Sequence, residues 1–593
     1  MDQMNPPIQE IYNQQVAGAE RERRDFWARA LAEWEETLRK DPLSPEAYIE
    51  VARCHSKLGQ EKYSRAVLEH GLSRIPPEKS YKLHLWHIRL LEESNCTREA
   101  IESVRRAAKL FPRDFSLKLL EFLLLPVIYD STEEIEEYRA QLSRGLRMLC
   151  EEVSLDTDEE RKSAFLGIAS HSNYRLGYQA QNDRELQKEY GRLLHRIMAA
   201  NFPSFAEPLA MPEIPTDGKL RIGYVSSRFR NLSATKYFFG WIREHKKDAI
   251  SVYAYHVGQK TDSMTEEVRK ASHTFRHIPN SIQETCQAIL ADRLHILVFL
   301  DVGLEAMTTR LAALHLAPIQ CAAWDQPVTT GLPTIDYFIS SALTEPENAQ
   351  NHYSEELVSL PGVGVCYQKP IIPAALLNKT RRDFRLRDDA VVYLCIQYAY
   401  KYLPNQDQLL VQIAKRVPNA QFVFLTETDL IAGDLRRRLD RAFGAANLNA
   451  ADYCVLLPAL ERFAYWNLSL VGDVFLDAIG WSGGVSTFEA IACKIPIVTL
   501  PGEFMRGRQS YAILTQLGVT ETIARDENEF VEIAVRLGLD RKWREEVIRK
   551  MGANYSSLFS DTKCVRALES FYGRVVAERL QAQQSPTVSG GRR

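Results

Sequence analysis

Between residues 25 and 112 apolar positions recur at steps of three and four, the spacing of one helix face, and Pro42, Pro76 and Pro112 close successive blocks. The blocks are 34 to 36 residues long, and Ala66 in one answers Ala100 in the next. That period is tetratricopeptide-like, because each helix pair leaves an apolar face that a stacked neighbour must cover. In the clearest unit, Ala47, Tyr48, Ala52, Leu58, Gly59, Tyr63, Ala66 and Pro76 fall where small residues bring helices close and Gly59 permits the turn. The pattern predicts an α-helical tetratricopeptide-like solenoid over 25–115 and a helical bridge over 116–206. In the bridge, Thr132-Glu-Glu-Ile-Glu-Glu and Asn182-Asp-Arg-Glu-Leu-Gln each read as a cap followed by acids that suit a helix start. Pro208, Pro212 and Pro215 mark 207–219 as an extended linker.

After the linker the periodicity changes from helical to short apolar runs. Leu220-Arg-Ile-Gly-Tyr-Val-Ser-Ser is a strand ending in small polar residues, and further strands are expected at 250–255, 296–300, 391–396, 422–425, 474–476 and 497–500. Helical stretches separate most of them, which predicts two doubly wound α/β domains, at 218–375 and 385–578. The residues 579–593 are expected to be a disordered tail.

Composition narrows the function classes. The 593 residues suit roughly three or four domains. A net charge of -3 with 25% charged residues gives no sign of nucleic acid as the main partner. Arg436, Arg437 and Arg438 lie in a helical segment and read as a solvated face. The ten cysteines are scattered, with no Cys-x-x-Cys pair and no histidine cluster of metal-ligand spacing, which fits a reducing cytoplasm and no zinc site. No apolar run approaches the ~18–20 residues that cross a bilayer, and residues 1–9 do not read as a secretion signal.

Two segments carry chemistry. In Asp473-Val-Phe-Leu-Asp-Ala-Ile-Gly-Trp-Ser-Gly-Gly-Val-Ser-Thr-Phe-Glu-Ala a strand runs into a glycine turn, with Ser486 and Thr487 placed to cap the following helix. The free N–H groups of such a helix start bind anions, glycine lets a phosphate approach, and Glu489 in the first turn suits ribose hydroxyls. A capped helix with Glu489 favouring the dipole remains the alternative. In Val392-Tyr-Leu-Cys-Ile-Gln-Tyr-Ala-Tyr-Lys-Tyr-Leu-Pro, Lys401 follows closely after a strand, at the end where open α/β sheets bind ligands. A cation there stabilises the charge on a departing nucleoside diphosphate, although a surface lysine neutralising carboxylates fits the same sequence.

These segments, with Leu316-Ala-Pro-Ile-Gln, Pro327-Val-Thr-Thr-Gly-Leu-Pro-Thr-Ile-Asp-Tyr, Tyr400-Lys-Tyr-Leu-Pro and Val498-Thr-Leu-Pro-Gly-Glu, stand in an order that resembles the O-GlcNAc transferase and SPINDLY-type glycosyltransferases. The likeness is especially to bacterial members with amino-terminal tetratricopeptide repeats. The resemblance implies a GT-B fold of two Rossmann-like domains, a nucleotide sugar in the cleft between them, and inversion at the anomeric carbon. It implies that Lys401 contacts the donor diphosphate with Gln397 beside it, and that Gly483, Gly484, Val485, Ser486 and Thr487 cradle phosphate. Glu489 would hold ribose, and Arg462 falls where the family has a lysine beside uracil. The acceptor would be a Ser or Thr of a polypeptide presented by the repeats, with no cofactor and no metal. Asp156-Thr-Asp158 reads as ordinary solvated acid.

Two positions depart from the family. Leu232 stands where a histidine points into the cleft, and Asp325-Gln326-Pro327 replaces Gly-His-Pro or Gly-Tyr-Pro. Lys401, Asp325 and Gln326 are the catalytic candidates, with deprotonation by donor phosphate, Asp325 or water, or else with weak turnover. Leu232 also fits as a packing residue under the next helix. Arg230, Lys236, Thr330, Arg506 and Arg508 are further cleft candidates, and His295 reads as a satisfied buried histidine or a base. The expected function is transfer of a monosaccharide, GlcNAc from UDP-GlcNAc first, to Ser or Thr. The alternatives are another donor such as GDP-fucose or a UDP-hexose, an Asn acceptor, or a nucleotide-sugar-binding scaffold.

Overall fold

The structure, a computed structural model, describes residues 6–372 and 378–584. Positions 585–593 of the expected tail lie outside the described residues. Positions 579–584 are not tail, because the last helix runs Lys563–Gln584.

Helices Pro45–Lys57 and Glu61–Arg74 form one pair, and Tyr81–Glu93 and Thr97–Leu110 the next, with corresponding helices starting 36 positions apart. In that register Ser64, Leu68 and Gly71 match Ala100, Val104 and Ala107, and all six are buried. Gly71 must be small, since a Cβ there would stand 2.8 Å from the Tyr48 ring. Ala66 and Tyr63 face solvent instead of the stack, so the 34-residue match of Ala66 to Ala100 is out of register by two. Gly59 takes φ +74, as its turn requires.

The bridge continues the stack and then grips both lobes. Ser131, one residue before the expected cap, accepts from the Glu134 amide and starts Thr132–Glu152. Thr157 caps Asp158–Ser170 in a capping box with Glu160, which accounts for the Asp-x-Asp as a helix start. Asp183 precedes Arg184–Asn201 but gives it no side-chain cap. Its buried carboxylate instead meets Arg139 at 2.8 Å and Arg506 at 3.2 Å.

Two all-parallel sheets follow. The first comprises β1 (Leu220–Ser226), β2 (Ile250–His256), β3 (Thr274–His277), β4 (Ile296–Phe299), β5 (Ile319–Ala322), β6 (Tyr337–Ser341) and β7 (Glu356–Leu360), in the order β3-β2-β1-β4-β5-β6-β7. The second comprises β8 (Val391–Cys395), β9 (Ala420–Thr426), β10 (Cys454–Pro458), β11 (Val474–Leu476) and β12 (Ile497–Val498), in the order β10-β9-β8-β11-β12. Parallel strands covered on both faces need continuous apolar runs, and β4, buried at all four positions, shows this. The strands missed in the sequence are mostly at edges. β3, β7 and β10 are the exposed borders of their sheets, where half-polar sequences such as Thr-Phe-Arg-His suffice.

The lobes are tied to the bridge by buried charge. Arg438 is 3% exposed and donates to both Asp407 oxygens at 2.8 and 3.0 Å, to the Tyr129 carbonyl at 3.0 Å and to the Tyr402 carbonyl at 2.8 Å. Of the arginine run expected to be solvated, Arg437 is exposed, but Arg438 is a buried clamp that satisfies otherwise orphaned carbonyls. The helix Lys563–Gln584, expected with the second domain, crosses back to the first lobe. There the Tyr572 and Tyr224 hydroxyls lie 3.2 Å apart and Glu569 accepts from the Lys246 amide at 2.7 Å. Among the described residues no helix is long and apolar enough to cross a membrane.

Candidate active site

A cleft of about 690 Å³ opens between the lobes, and its walls are the segments that leave the carboxyl ends of β1, β4, β5, β8, β9, β10 and β11. Parallel α/β sheets bind ligands at that end, because the strands stop there and helix starts point inward. Tyr174 and Tyr178 of the bridge complete the cleft. The Tyr178 ring stacks on Trp481 with centroids 3.8 Å apart.

Asp477, the first residue after β11, organises the second lobe's wall. Its Oδ1 accepts from the Gly483 amide at 2.7 Å and Gln397 Nε2 at 2.8 Å, while Oδ2 accepts from Ser482 Oγ at 2.6 Å and Thr499 Oγ1 at 2.7 Å. Four donors on one buried carboxylate fix the glycine turn and orient Gln397, whose Oε1 accepts from Lys401 Nζ at 3.1 Å. Lys401 therefore meets a neutral amide rather than a carboxylate. Burial pulls its ammonium down to about 8, with Asp477 opposing.

The helix Val485–Ala492 starts on this wall. Its N-cap is Gly484 and no side chain caps it, so the expected capping by Ser486 and Thr487 does not occur. Ser486 lines the cleft, whereas Thr487 is buried behind it, donating to the Gly483 carbonyl at 2.8 Å. Glu489 sits just past the first turn and pairs with Lys236 of the first lobe at 3.2 Å.

Gly484 has a different steric reason from the one the sequence suggests. A Cβ there would collide with the hydroxyl of Tyr237, which reaches over from the first lobe and donates to Gln509 Oε1 at 2.9 Å. Glycine thus admits a tyrosine of the opposite lobe to the helix start. Gly484→Ala is expected to destabilise the protein by about 1–3 kcal/mol through overpacking. A Tyr237→Phe background removes the nearest clashing atom but leaves Gln509 Oε1 and the Tyr237 ring carbon against the new Cβ, so only part of that loss should return in denaturant unfolding.

The first lobe contributes Asp325, immediately beyond β5. Its side chain is 2% exposed. Oδ1 accepts from Ser233 Oγ at 3.1 Å. Oδ2 lies 3.3 Å from Arg228 Nε in a geometry that makes no hydrogen bond, so this oxygen has electrostatic company without a donor. Burial pushes the carboxyl up to about 6, and Arg228 opposes the shift. Leu232 caps the helix Ser233–Arg243 with its backbone only, and its side chain lines the cleft.

Lys236, Asp325, Gln397, Lys401, Gly484, Val485, Ser486 and Glu489 thus line one cavity. The remaining candidates do not. Gln326 turns away, donating from Nε2 to the Tyr174 carbonyl at 3.0 Å, so it anchors the bridge instead of facing the reaction. His295 is buried at the opposite end of the sheet, just before β4, and accepts from the Arg221 amide at 3.0 Å. Thr330 is held by buried Glu355, whose Oε1 accepts its amide at 2.8 Å. Arg506 is the bridge clamp on Asp183. Arg508 donates to the Gly502 carbonyl at 3.2 Å and covers Tyr511. Arg462 stacks over Trp466 at 4.5 Å, next to the cleft-lining Leu460. Arg230 lies outside the lining, and Arg228 takes the place expected of it.

Asp477, Tyr237, Arg228 and the bridge tyrosines escaped the sequence reading. Asp477 left a signal, a carboxylate directly between a buried strand and a glycine turn. The tyrosines left none, because their partners are hundreds of positions away.

The family profile described as Glycosyl transferase family 41 matches residues 178–365 and 367–567, more than half of the chain. Among curated proteins, a probable UDP-N-acetylglucosamine–peptide N-acetylglucosaminyltransferase SEC of Arabidopsis thaliana is 26% identical over 406 residues, 65% of this chain and 40% of that protein. A SPINDLY protein of Solanum lycopersicum, with the same probable activity in its name, is 25% identical over 437 residues, 68% of this chain and 44% of its own. The chain thus spans about two-fifths of the length of these relatives. A Thermobaculum terrenum O-GlcNAc transferase mutant superposes with a TM-score of 0.69 at 21% identity, covering 98% of this chain and 100% of the other, and so shares the GT-B fold and its helical region. With the profile spanning both lobes and the same segments building the cleft, the chain belongs to glycosyl transferase family 41.

Proposed function

We propose that the chain is an inverting, metal-independent glycosyltransferase that moves a monosaccharide, GlcNAc from UDP-GlcNAc, to a Ser or Thr hydroxyl of a polypeptide. The observation that carries this reading is Lys401. An ammonium bonded to a neutral amide, beside an uncapped helix start, is a site for an anion that arrives with the substrate. The diphosphate would lie across the start of Val485–Ala492, with the ribose hydroxyls on Glu489.

The displacement then balances as follows. The acceptor oxygen forms its bond to the anomeric carbon as the bond from that carbon to the β-phosphate oxygen breaks. The electron pair leaves on the diphosphate, where Lys401 and the helix amides stabilise it. The acceptor proton passes to the carboxylate of Asp325, which lines the cleft. The lysine and the helix start supply the positive potential that a divalent ion supplies in other sugar transferases. The helical repeats, continuous with the bridge tyrosines at the cleft, would lead the polypeptide in.

Incubation of the full chain with a peptide library and either UDP-GlcNAc or GDP-fucose, followed by fragmentation mass spectrometry, tests the assignment. A HexNAc on Ser or Thr is the expected product. A deoxyhexose product, or a linkage to amide nitrogen, would replace the donor or the acceptor in this reading. Donor binding without transfer or hydrolysis would favour the scaffold, a reading that the proton-inert Leu232 in the cleft wall supports.

A further inference from the structure

Three cationic side chains line the cleft, Arg228, Lys236 and Lys401, against three carboxylates, Asp325, Glu427 and Glu489. The charges of the lining therefore balance, and a nucleoside diphosphate adds more negative charge than a single ammonium offsets. Arg228 sits between two first-lobe carboxylates, 3.3 Å from Asp325 and 3.8 Å from Glu305, which offset its charge without a hydrogen bond at Nε. Lys401 is the cation already assigned to the donor. Lys236 is left, and its sole ion pair among the described residues is with Glu489, at 3.2 Å across the interlobe gap.

That partner matters, because Glu489 is the carboxylate that the donor reading gives to the ribose. Ribose hydroxyls donating to Glu489 compete directly with the Lys236 ammonium. Both side chains keep access to the cleft, at 21% and 11% exposure. The helix that carries Lys236, Ser233–Arg243, also packs against Val485–Ala492, and the Tyr237 hydroxyl from the same helix abuts Gly484, the N-cap of the latter. A flexible four-carbon stem with three donors needs only a local swing to move from Glu489 toward that helix start.

We propose that Lys236 is a second donor-binding cation, contributed by the first lobe. As the nucleotide's ribose takes Glu489, the ammonium passes to the phosphate oxygens at the start of Val485–Ala492. The diphosphate is then held from both lobes, by Lys401 and Lys236, and cleft closure is coupled to the presence of phosphate. This inference rests on the donor reading above.

Calorimetric titration of the full chain with UDP and with uridine, with GDP and guanosine in parallel, tests it in the wild type, Lys236→Met and Lys236→Arg. Lys236→Met is expected to weaken the diphosphate by about tenfold, the value of one charge-assisted contact, and the nucleoside by less than about twofold. It should also flatten the salt dependence of diphosphate binding. Lys236→Arg should keep most of the affinity, and an unchanged unfolding transition shows the fold intact. Equal loss for diphosphate and nucleoside would mean that Lys236 only orients Glu489, and no loss would mean that it takes no part; either overturns the proposal while leaving the donor reading standing. A wild type that binds neither UDP nor GDP overturns both.

Discussion

Lys401→Met is expected to lower kcat by about 10²–10³-fold while making the protein more stable. The loss follows from removing a preorganised charge that meets the leaving diphosphate. The gain follows from linkage. Burial holds the Lys401 ammonium near 8, below its ordinary 10.5. Between those values the unfolded chain keeps a proton that the folded chain has released, so this group's contribution to stability rises with pH there. Below about pH 8 both states are protonated and the cost of burying the charge stands in full, on the order of 3 kcal/mol. Methionine removes that cost. Thermal unfolding at pH 7 should therefore show a higher midpoint for the variant, with the difference shrinking as pH climbs above 8. Donor affinity of the wild type should fall over the same range, as the ammonium deprotonates. A variant that is less stable at pH 7, or a donor affinity flat through pH 9.5, contradicts the electrostatic account of this lysine.

Asp325→Asn is expected to reduce transfer by about 10²–10⁴-fold with donor binding nearly unchanged, since the amide keeps the shape and the Ser233 contact but accepts no proton. With the carboxyl raised to about 6 by burial, the wild-type rate should fall below that pH as the base becomes protonated. Between 3.8 and about 6 the folded chain holds a proton that the unfolded chain has lost, so the contribution of Asp325 declines as pH rises and is unfavourable at pH 7. Asparagine relieves that penalty. Rates measured from pH 5 to 9 on both proteins check the assignment: a wild type without an acid limb near 6, or an asparagine variant with normal kcat, removes Asp325 from the proton transfer and leaves donor phosphate or water in its place.

Both effects share a cause in the fold. Asp325 and Lys401 each follow a parallel strand, β5 buried throughout and β8 buried at all but its first residue, into a walled cleft, where desolvation penalises charge. The positions of cleft-lining residues past such strands were legible in the sequence, because a buried run ending in polar residues is a local pattern. Lys401, the Gly483–Gly484 turn and Glu489 were found that way. The repeat region was legible too, though its 34-residue match of Ala66 to Ala100 missed the 36-residue register that burial selects. Pairings were not legible. Arg438, one of three consecutive arginines, is a clamp only because Asp407 and the Tyr129 and Tyr402 carbonyls converge on it from separate elements. Gln326 looked catalytic from its position in a motif, and its amide instead holds Tyr174 of the bridge. Gly484 looked like a phosphate contact, and its missing side chain makes room for Tyr237 as well. In each case the deciding neighbour comes from another part of the chain, which no local pattern encodes.

The amides at the start of Val485–Ala492 are the most direct test of the donor site. Hydrogen exchange of the full chain with and without UDP should show protection concentrated at positions 484–486 and at the segment that carries Lys401, because amides without a helical partner gain one from phosphate, whereas the Thr487 amide already donates to the Gly484 carbonyl at 3.0 Å. Protection by UDP that leaves 484–486 unchanged and appears elsewhere would contradict the account.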